Sequence, residues 1–390
     1  MEETRTESEG QRRRGEVRPE AAKAVRGAWR TPKTRLMVVD DSAAFRALIR
    51  DVLASEDDIE IVGTASTGRG ALLRIPDLTP DCILMDIQMP GIDGLKTLRL
   101  VKQQHPQIGV IICSAVGFEV ADVAVEALAN GALDFIPKAP QLAPGESLIG
   151  RLRDEVVSRI RAFRAYSPRA QTPPRPDAQP PLEDALCAQP GGRDVIAIGV
   201  STGGPVALRA LLQEVPADIA ATILIVQHMP PVFTKRLADQ LNTVSRVRVK
   251  EAEDGEEALY GTAYIAPGDY HMEVRRRGSA PAIVLTRGAP ENSVRPAVDV
   301  LFRSVASTFG NRALGVVLTG MGSDGYAGSQ ALKARGAIVI AQDEASSVIW
   351  GMPRFVAEAG LADRVCALAD MPRLIGRLVG RAQSPRAPDS

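Results

Sequence analysis

The sequence predicts an α/β protein of two units, each built on a parallel sheet with helices on both faces. Three observations lead there. Short continuous apolar runs alternate with amphipathic stretches from about residue 35 to 166, and again from 194 to 381. Between them lie Ser167-Pro168, Pro173-Pro174, Pro176, Pro180-Pro181 and Pro190-Gly191-Gly192. Proline at that density sustains neither helix nor sheet ladder, so 167–193 reads as a linker. Finally, 390 residues are long for a single core. Residues 1–34, rich in Arg and Glu, read as a disordered tail, and 382–390 as a frayed one.

Composition narrows the class. Hydrophobic residues at 45% and charged ones at 24% suit a soluble globular protein. A formal net charge of zero recruits neither nucleic acid nor membrane, and 4% aromatics do not furnish base-stacking surfaces. No apolar run approaches the roughly 20 residues that span a bilayer, and MEETRTESEG does not resemble a secretory leader. Cys82, Cys113, Cys187 and Cys366 are scattered, without a Cys-x-x-Cys pair, which fits a reducing cytoplasm and argues against zinc or disulfides.

In the first unit the expected strands are Leu36–Val39, Ile59–Thr64, Cys82–Asp86, Gly109–Ser114 and Asp134–Ile136, with helices such as Ala43–Leu53 and Gly94–Gln104 between them. Such sheets bind ligands at the carboxyl ends of their strands. Those ends carry Asp40-Asp41, Asp86, Ser114 and Lys138. Converging carboxylates repel one another unless a cation joins them, and a hard ion such as Mg²⁺ suits them. Asp86 can then attack a phosphoryl donor, with Lys138 and the Ser114 hydroxyl receiving the new phosphate oxygens.

On these residues, 35–140 resembles a response-regulator receiver domain, a flavodoxin-like fold with a five-stranded parallel sheet. The carrying motifs are Asp40-Asp41, Leu84-Met85-Asp86-Ile87-Gln88-Met89-Pro90-Gly91, Cys113-Ser114-Ala115 and Asp134-Phe135-Ile136-Pro137-Lys138. The resemblance implies phosphorylation of Asp86 by a histidine kinase. It implies Mg²⁺ held by Asp41, Asp86 and the Gln88 carbonyl, with Asp40 acting through water. It makes Phe135 the aromatic that moves with phosphorylation. Ala139 stands where the family has proline, with Pro140 one position later.

The second unit opens on Val195-Ile196-Ala197-Ile198-Gly199-Val200-Ser201-Thr202-Gly203-Gly204-Pro205. A buried strand ends at a serine among glycines, and a helical pattern follows. Such a turn exposes a nucleophilic hydroxyl, and the helix start offers free N–H groups to developing negative charge. The serine needs a base, and the chain has three histidines. His105 ends a helix of the first unit and reads as exposed. His271 starts a possible hairpin. His228 ends the strand Thr222–Gln227, at the carboxyl edge of a neighbour to the Ser201 strand, and is the best base. A third strand, Ala313–Thr319, runs into Gly320-Met321-Gly322-Ser323-Asp324-Gly325, where Asp324 can hold the imidazole ahead of a helix at Tyr326–Arg335. The order Ser, His, Asp excludes the α/β-hydrolase fold, in which the histidine comes last.

Residues 194–381 resemble the catalytic domain of the chemotaxis protein-glutamate methylesterases, the CheB family, and imply a doubly wound, mostly parallel sheet. The motifs are Gly199–Gly204, Gln227-His228-Met229-Pro230, Tyr264-Ile265-Ala266-Pro267-Gly268, Thr319–Gly325, Ala341-Gln342-Asp343-Glu344-Ala345-Ser346 and Gly351-Met352-Pro353. The resemblance implies Ser201 as nucleophile, His228 as general base and acid, Asp324 as orienting carboxylate, and Thr202 and the Met321 N–H near the oxyanion. It implies hydrolysis of glutamate methyl esters on cytoplasmic helices of chemoreceptors, with deamidation of glutamines by the same chemistry. No cofactor is expected for the esterase step. A second class is a phospho-switched binding protein without turnover, which the intact Ser201, His228 and Asp324 argue against.

Overall fold

The structure is a computed structural model that describes residues 33–90, 93–115, 117–139, 147–165, 192–278 and 280–380. The expected tails and nearly all of the linker lie outside the described residues, as do Gly91 and Pro140.

The first unit is one five-stranded parallel sheet. Its strands are β1 (Thr34–Val39), β2 (Ile59–Ala65), β3 (Cys82–Met85), β4 (Gly109–Ser114) and β5 (Asp134–Pro137), in the order β2-β1-β3-β4-β5. The central strands β3 and β4 are buried along their whole length, which is why they read as unbroken apolar runs. Five helices cover the sheet: α1 (Ala43–Leu53), α2 (Gly68–Leu78), α3 (Gly94–Gln104), α4 (Phe118–Ala129) and α5 (Leu148–Ala165). Local capping fixes several starts: Ser42 accepts from the Phe45 N–H, Thr67 from Gly70 and Asp93 from Lys96. His105 is half-buried as the C-cap of α3, not exposed as expected, because its N–H closes the last turn on the Val101 carbonyl.

The second unit is a seven-stranded sheet, β14-β13-β12-β6-β7-β9-β8, with every neighbouring pair parallel. Its elements run β6 (Val195–Val200), α6 (Gly204–Glu214), β7 (Thr222–Gln227), α7 (Phe233–Val244), β8 (Arg248–Glu251), β9 (Thr262–Ile265), α8 (Val298–Phe309), β12 (Ala313–Val317), α9 (Tyr326–Ala334), β13 (Ile338–Gln342), α10 (Met352–Glu358), β14 (Arg364–Cys366) and α11 (Met371–Val379). The expected hairpin at His271 is a separate antiparallel pair, β10 (His271–Arg277) with β11 (Ala280–Thr286).

Alternation along β6 sorts the core. Ile196, Ile198 and Val200 pack with Leu208 of α6, Phe233 and Leu237 of α7 and Met371 of α11. Val195 and Ala197 face the other layer, with Val298 and Phe302 of α8, Leu332 of α9 and Met352 of α10. The connections from β6 and from β12 leave toward opposite ends of the sheet, and the gap between these adjacent strands is its topological switch point.

The two units are in contact. α4 packs against α6 and α7, and the Phe135 ring lies 4.5 Å from the Phe233 ring between centroids. The centre of this contact is apolar: Val125 and Leu128 of α4 share one buried cluster with the α6–α7 layer. Asp122 pairs with Arg236 at 2.9 Å on its rim.

Candidate active site

In the first unit the four strand ends meet as expected. Asp40, Asp41 and Asp86 each offer a carboxylate oxygen, all within 4.8 Å of one another. Lys138 bridges two of them, at 2.7 Å from Asp40 and in direct contact with Asp86. Asp86 also accepts from the Ser114 hydroxyl at 2.6 Å and the Gln88 N–H at 3.0 Å. Burial raises the Asp40 carboxyl above its usual range, against the opposing pull of Lys138. Burial pulls the Lys138 ammonium down, but its bonds to Asp40 and Asp86 outweigh this and raise it. Three hard oxygen donors so placed fit a divalent cation of the Mg²⁺ class. Phe135 is buried, on β5, the strand that Lys138 follows.

In the second unit Ser201, His228 and Asp324 follow β6, β7 and β12, three adjacent strands at the switch point. Ser201 is held through its backbone: its N–H donates to the Thr319 carbonyl at 3.0 Å, and its carbonyl accepts from Gly204 and from Gln227 Nε2. His228 starts from the neighbouring strand, its N–H on the Val200 carbonyl. Its Nε2 lies 2.8 Å from Asp324 Oδ2. An ionised carboxylate only accepts, so Nε2 carries the proton and Nδ1 keeps the lone pair. Among the described residues the Ser201 hydroxyl makes no hydrogen bond to the imidazole, an arrangement common where the substrate completes the geometry.

Asp324 is 3% exposed and saturated with donors. Its Oδ2 also takes the Val298 N–H at 2.6 Å, and its Oδ1 takes the N–H groups of Asp299 and Gly325 and the Asn292 amide. Burial pushes this carboxyl up, but His228 and the amides at the start of α8 outweigh it, and the net direction is below the usual carboxylate range.

Beside Ser201, the N–H groups of Thr202 and Met321 meet no acceptor among the described residues, so both remain available to an oxyanion. Gly320 permits the close approach: a Cβ there would lie 2.9 Å from that of Ser201. Gly204 is equally constrained, since a Cβ would collide with the Gln227 side-chain amide. Gly204→Ala is therefore expected to cost about 1–3 kcal/mol of stability, read as a lower midpoint in urea.

The remaining motifs buttress this rim. Gly268 packs on the Pro230–Pro231 backbone that follows His228, and its N–H donates to Thr234 at 3.0 Å. Gln342 accepts from the Thr319 N–H at 2.8 Å, and Asp343 closes the turn through Ser346. His271, the other candidate base of this unit, is buried and structural. Its Nδ1 accepts from the Ala297 N–H and its Nε2 donates to the Ala289 carbonyl.

Three features have no signal in the sequence. Asn292 and Asp299 join the Asp324 network from a loop and a helix that the motifs do not cover. Gln227 is there only a motif letter, although its amide ties Ser201 to the His228 strand. The first unit also reaches the rim: the Leu133 carbonyl takes the Gly203 N–H at 3.2 Å, and Asp134 takes the Thr202 hydroxyl.

Comparison with known proteins agrees with this layout. Residues 196–375 match the CheB methylesterase family and residues 36–144 the response regulator receiver domain family. A protein-glutamate methylesterase/protein-glutamine glutaminase of Trichodesmium erythraeum (strain IMS101) is 43% identical over 353 residues, covering 90% of this chain and 100% of the relative. One of the same description from Pyrococcus abyssi (strain GE5 / Orsay) is 40% identical, over 89% of this chain and 94% of its own. Among solved structures, the Thermotoga maritima CheB methylesterase catalytic domain is 42% identical, with 47% of this chain and 98% of that one covered and a TM-score of 0.46.

Proposed function

This chain belongs to the protein-glutamate methylesterase/protein-glutamine glutaminase family, a CheB methylesterase domain behind a response regulator receiver domain, and from that premise we propose that it demethylates glutamate methyl esters, and deamidates glutamines, on the cytoplasmic helices of chemoreceptors under control of receiver phosphorylation. We place the receiver at 35–166, the linker at 167–193 and the catalytic domain at 194–381, between tails at 1–34 and 382–390. The protein works in the cytoplasm, where its receptor helices lie; no described helix is long and apolar enough to cross a membrane.

The observation that carries the reading is the 2.8 Å contact of His228 with Asp324 at the switch point, one strand from Ser201. Ser201 attacks the ester carbonyl as its proton passes to Nδ1 of His228. Asp324 stabilises the imidazolium, and the Thr202 and Met321 N–H groups take the oxyanion. His228 returns the proton to the leaving methoxide, releasing methanol. Water then cleaves the glutamyl-enzyme with the same base.

In the receiver, Asp86 accepts a phosphoryl group from a chemotaxis histidine kinase. Asp41, Asp86 and the Gln88 carbonyl would hold Mg²⁺, with Asp40 acting through water. The ion would supply charge neutralisation for the transferring group. Lys138 and Ser114 turn to the new phosphate oxygens, and Phe135 moves with them. Control is steric: the unphosphorylated receiver lies across the Ser201 edge and phosphorylation loosens it. In support, Leu133 and Asp134 occupy donors of the Thr202–Gly203 segment, and the Phe135 ring packs at a tilt against Phe233. β5 links the two events, because Asp134 opens this strand and Lys138 immediately follows it, about 13 Å of extended chain away.

The test is methanol release from methyl-labelled receptor membranes, with and without a small phosphodonor and Mg²⁺. Ser201→Ala should reduce release to background; unchanged release would assign the nucleophile elsewhere, whereas a wild-type protein releasing no more than background would favour the binding-protein reading. Asp86→Asn should abolish the response to the phosphodonor, and a retained response would move the phosphorylation site.

A further inference from the structure

Asp324 and Asp299 exchange helix caps. Asp324 takes the Val298 and Asp299 N–H groups at the start of α8, while Asp299 takes those of Gly325 and Gly328 at the start of α9. The arrangement locks the two helices together. It also brings two carboxylates face to face, each 3% exposed. Among the described residues, one side chain donates to both: Asn292 Nδ2 lies 2.8 Å from Asp324 Oδ1 and 2.9 Å from Asp299 Oδ2.

The backbone bends to deliver this amide. Asn292 and Ser293 are consecutive left-handed residues, at φ 53° and 64°. Asparagine tolerates that region better than most residues, yet two in succession persist only where the surroundings hold them. They are held on both sides. Glu291 forms a two-pronged pair with Arg303 of α8, and the buried His271 ties down Ala289 and Ala297.

We infer that Asn292 is a positioning residue for the esterase reaction: its amide fixes the orientation of Asp324 that leaves one carboxylate oxygen directed at His228. With Asn292 in place, Oδ1 is filled by three donors and the carboxylate cannot rotate about its Cβ–Cγ bond without breaking them. Without it, Asp299 and Asp324 lose the neutral bridge between their charges, and Asp324 turns away from the imidazole. The inference rests on the assignment of Ser201, His228 and Asp324 as the reacting groups.

The test uses the full-length protein and Asn292→Gly, which removes the amide while glycine accepts the left-handed backbone. Methanol release should show kcat lowered about 10- to 100-fold, the size of one lost hydrogen bond to a charged group, with KM unchanged. In an Asp324→Ala background, measured in single turnovers, the same substitution should cost nothing further. An unchanged kcat, or an equal loss in both backgrounds, overturns the proposal. Should Asn292→Gly fail to fold by circular dichroism, Asn292→Ser, whose hydroxyl sits one bond short of the amide and has too few hydrogens to bridge both carboxylates, carries the same comparison. Ser201→Ala, run alongside, separates the two ideas: full activity there defeats the assignment of the reacting groups, whereas its loss with Asn292→Gly fully active defeats only the role of Asn292.

Discussion

Asp324→Asn is expected to lower kcat by about 10⁴-fold with KM nearly unchanged, in steady-state methanol release from methylated receptors. The reason is donor bookkeeping at one side chain. Oδ1 of Asp324 receives three hydrogen bonds and Oδ2 two. An asparagine has one oxygen, and three donors select the Oδ1 position for it. Its amide nitrogen then faces His228 and the Val298 N–H. A donor there forces His228 Nε2 to accept, so the ring proton moves to Nδ1 and the lone pair that would take the Ser201 proton is gone. A variant with kcat within tenfold of wild type would show that the imidazole does not depend on this carboxylate. The same substitution has a pH signature in stability. The folded carboxyl of Asp324 titrates below its unfolded value, so its charge stabilises the fold above the unfolded value of about 3.9 and that contribution is lost as pH falls through the folded one. The stability gap between wild type and variant should be widest near neutral pH and close in acid.

Removing residues 1–193 is expected to raise the basal esterase rate of the unphosphorylated protein by about tenfold or more, since a minor open state is commonly populated at about 0.1–10%. The receiver makes two polar contacts with the segment that follows Ser201, through Leu133 and Asp134, and one aromatic contact at the start of α7. Asp134→Ala tests the contact without deletion. It removes the acceptor for Thr202 but leaves the Leu133 carbonyl on Gly203, so a smaller rise is expected. A truncated enzyme no faster than the intact unphosphorylated protein would mean that the receiver does not restrain the site.

Much of this architecture is readable from local pattern. β3, β4, β6 and β7 are buried on both faces, and such strands must be continuous apolar runs. Their ends are then marked by polar residues, among them Asp86, Ser114, Ser201 and His228. The strand expected to reach Asp86 stops at Met85, and the one expected to reach Thr319 stops at Val317, because the chain turns there to present side chains at the rim. Asn292 is invisible in the sequence for the converse reason: its loop carries no period, and its partners lie on α8 and after β12.

By itself the sequence determined two α/β units, the polar residues at their strand ends, and the family motifs, since hydrophobic period and glycine-flanked turns are local properties of the chain. Tertiary structure alone decided that β12 lies beside β6, that Nε2 of His228 meets Asp324 across 96 residues, that Asp299 and Asp324 exchange caps, and that the receiver reaches Thr202 and Gly203. Each of these depends on which distant segments pack together, and no stretch of neighbouring residues encodes that choice.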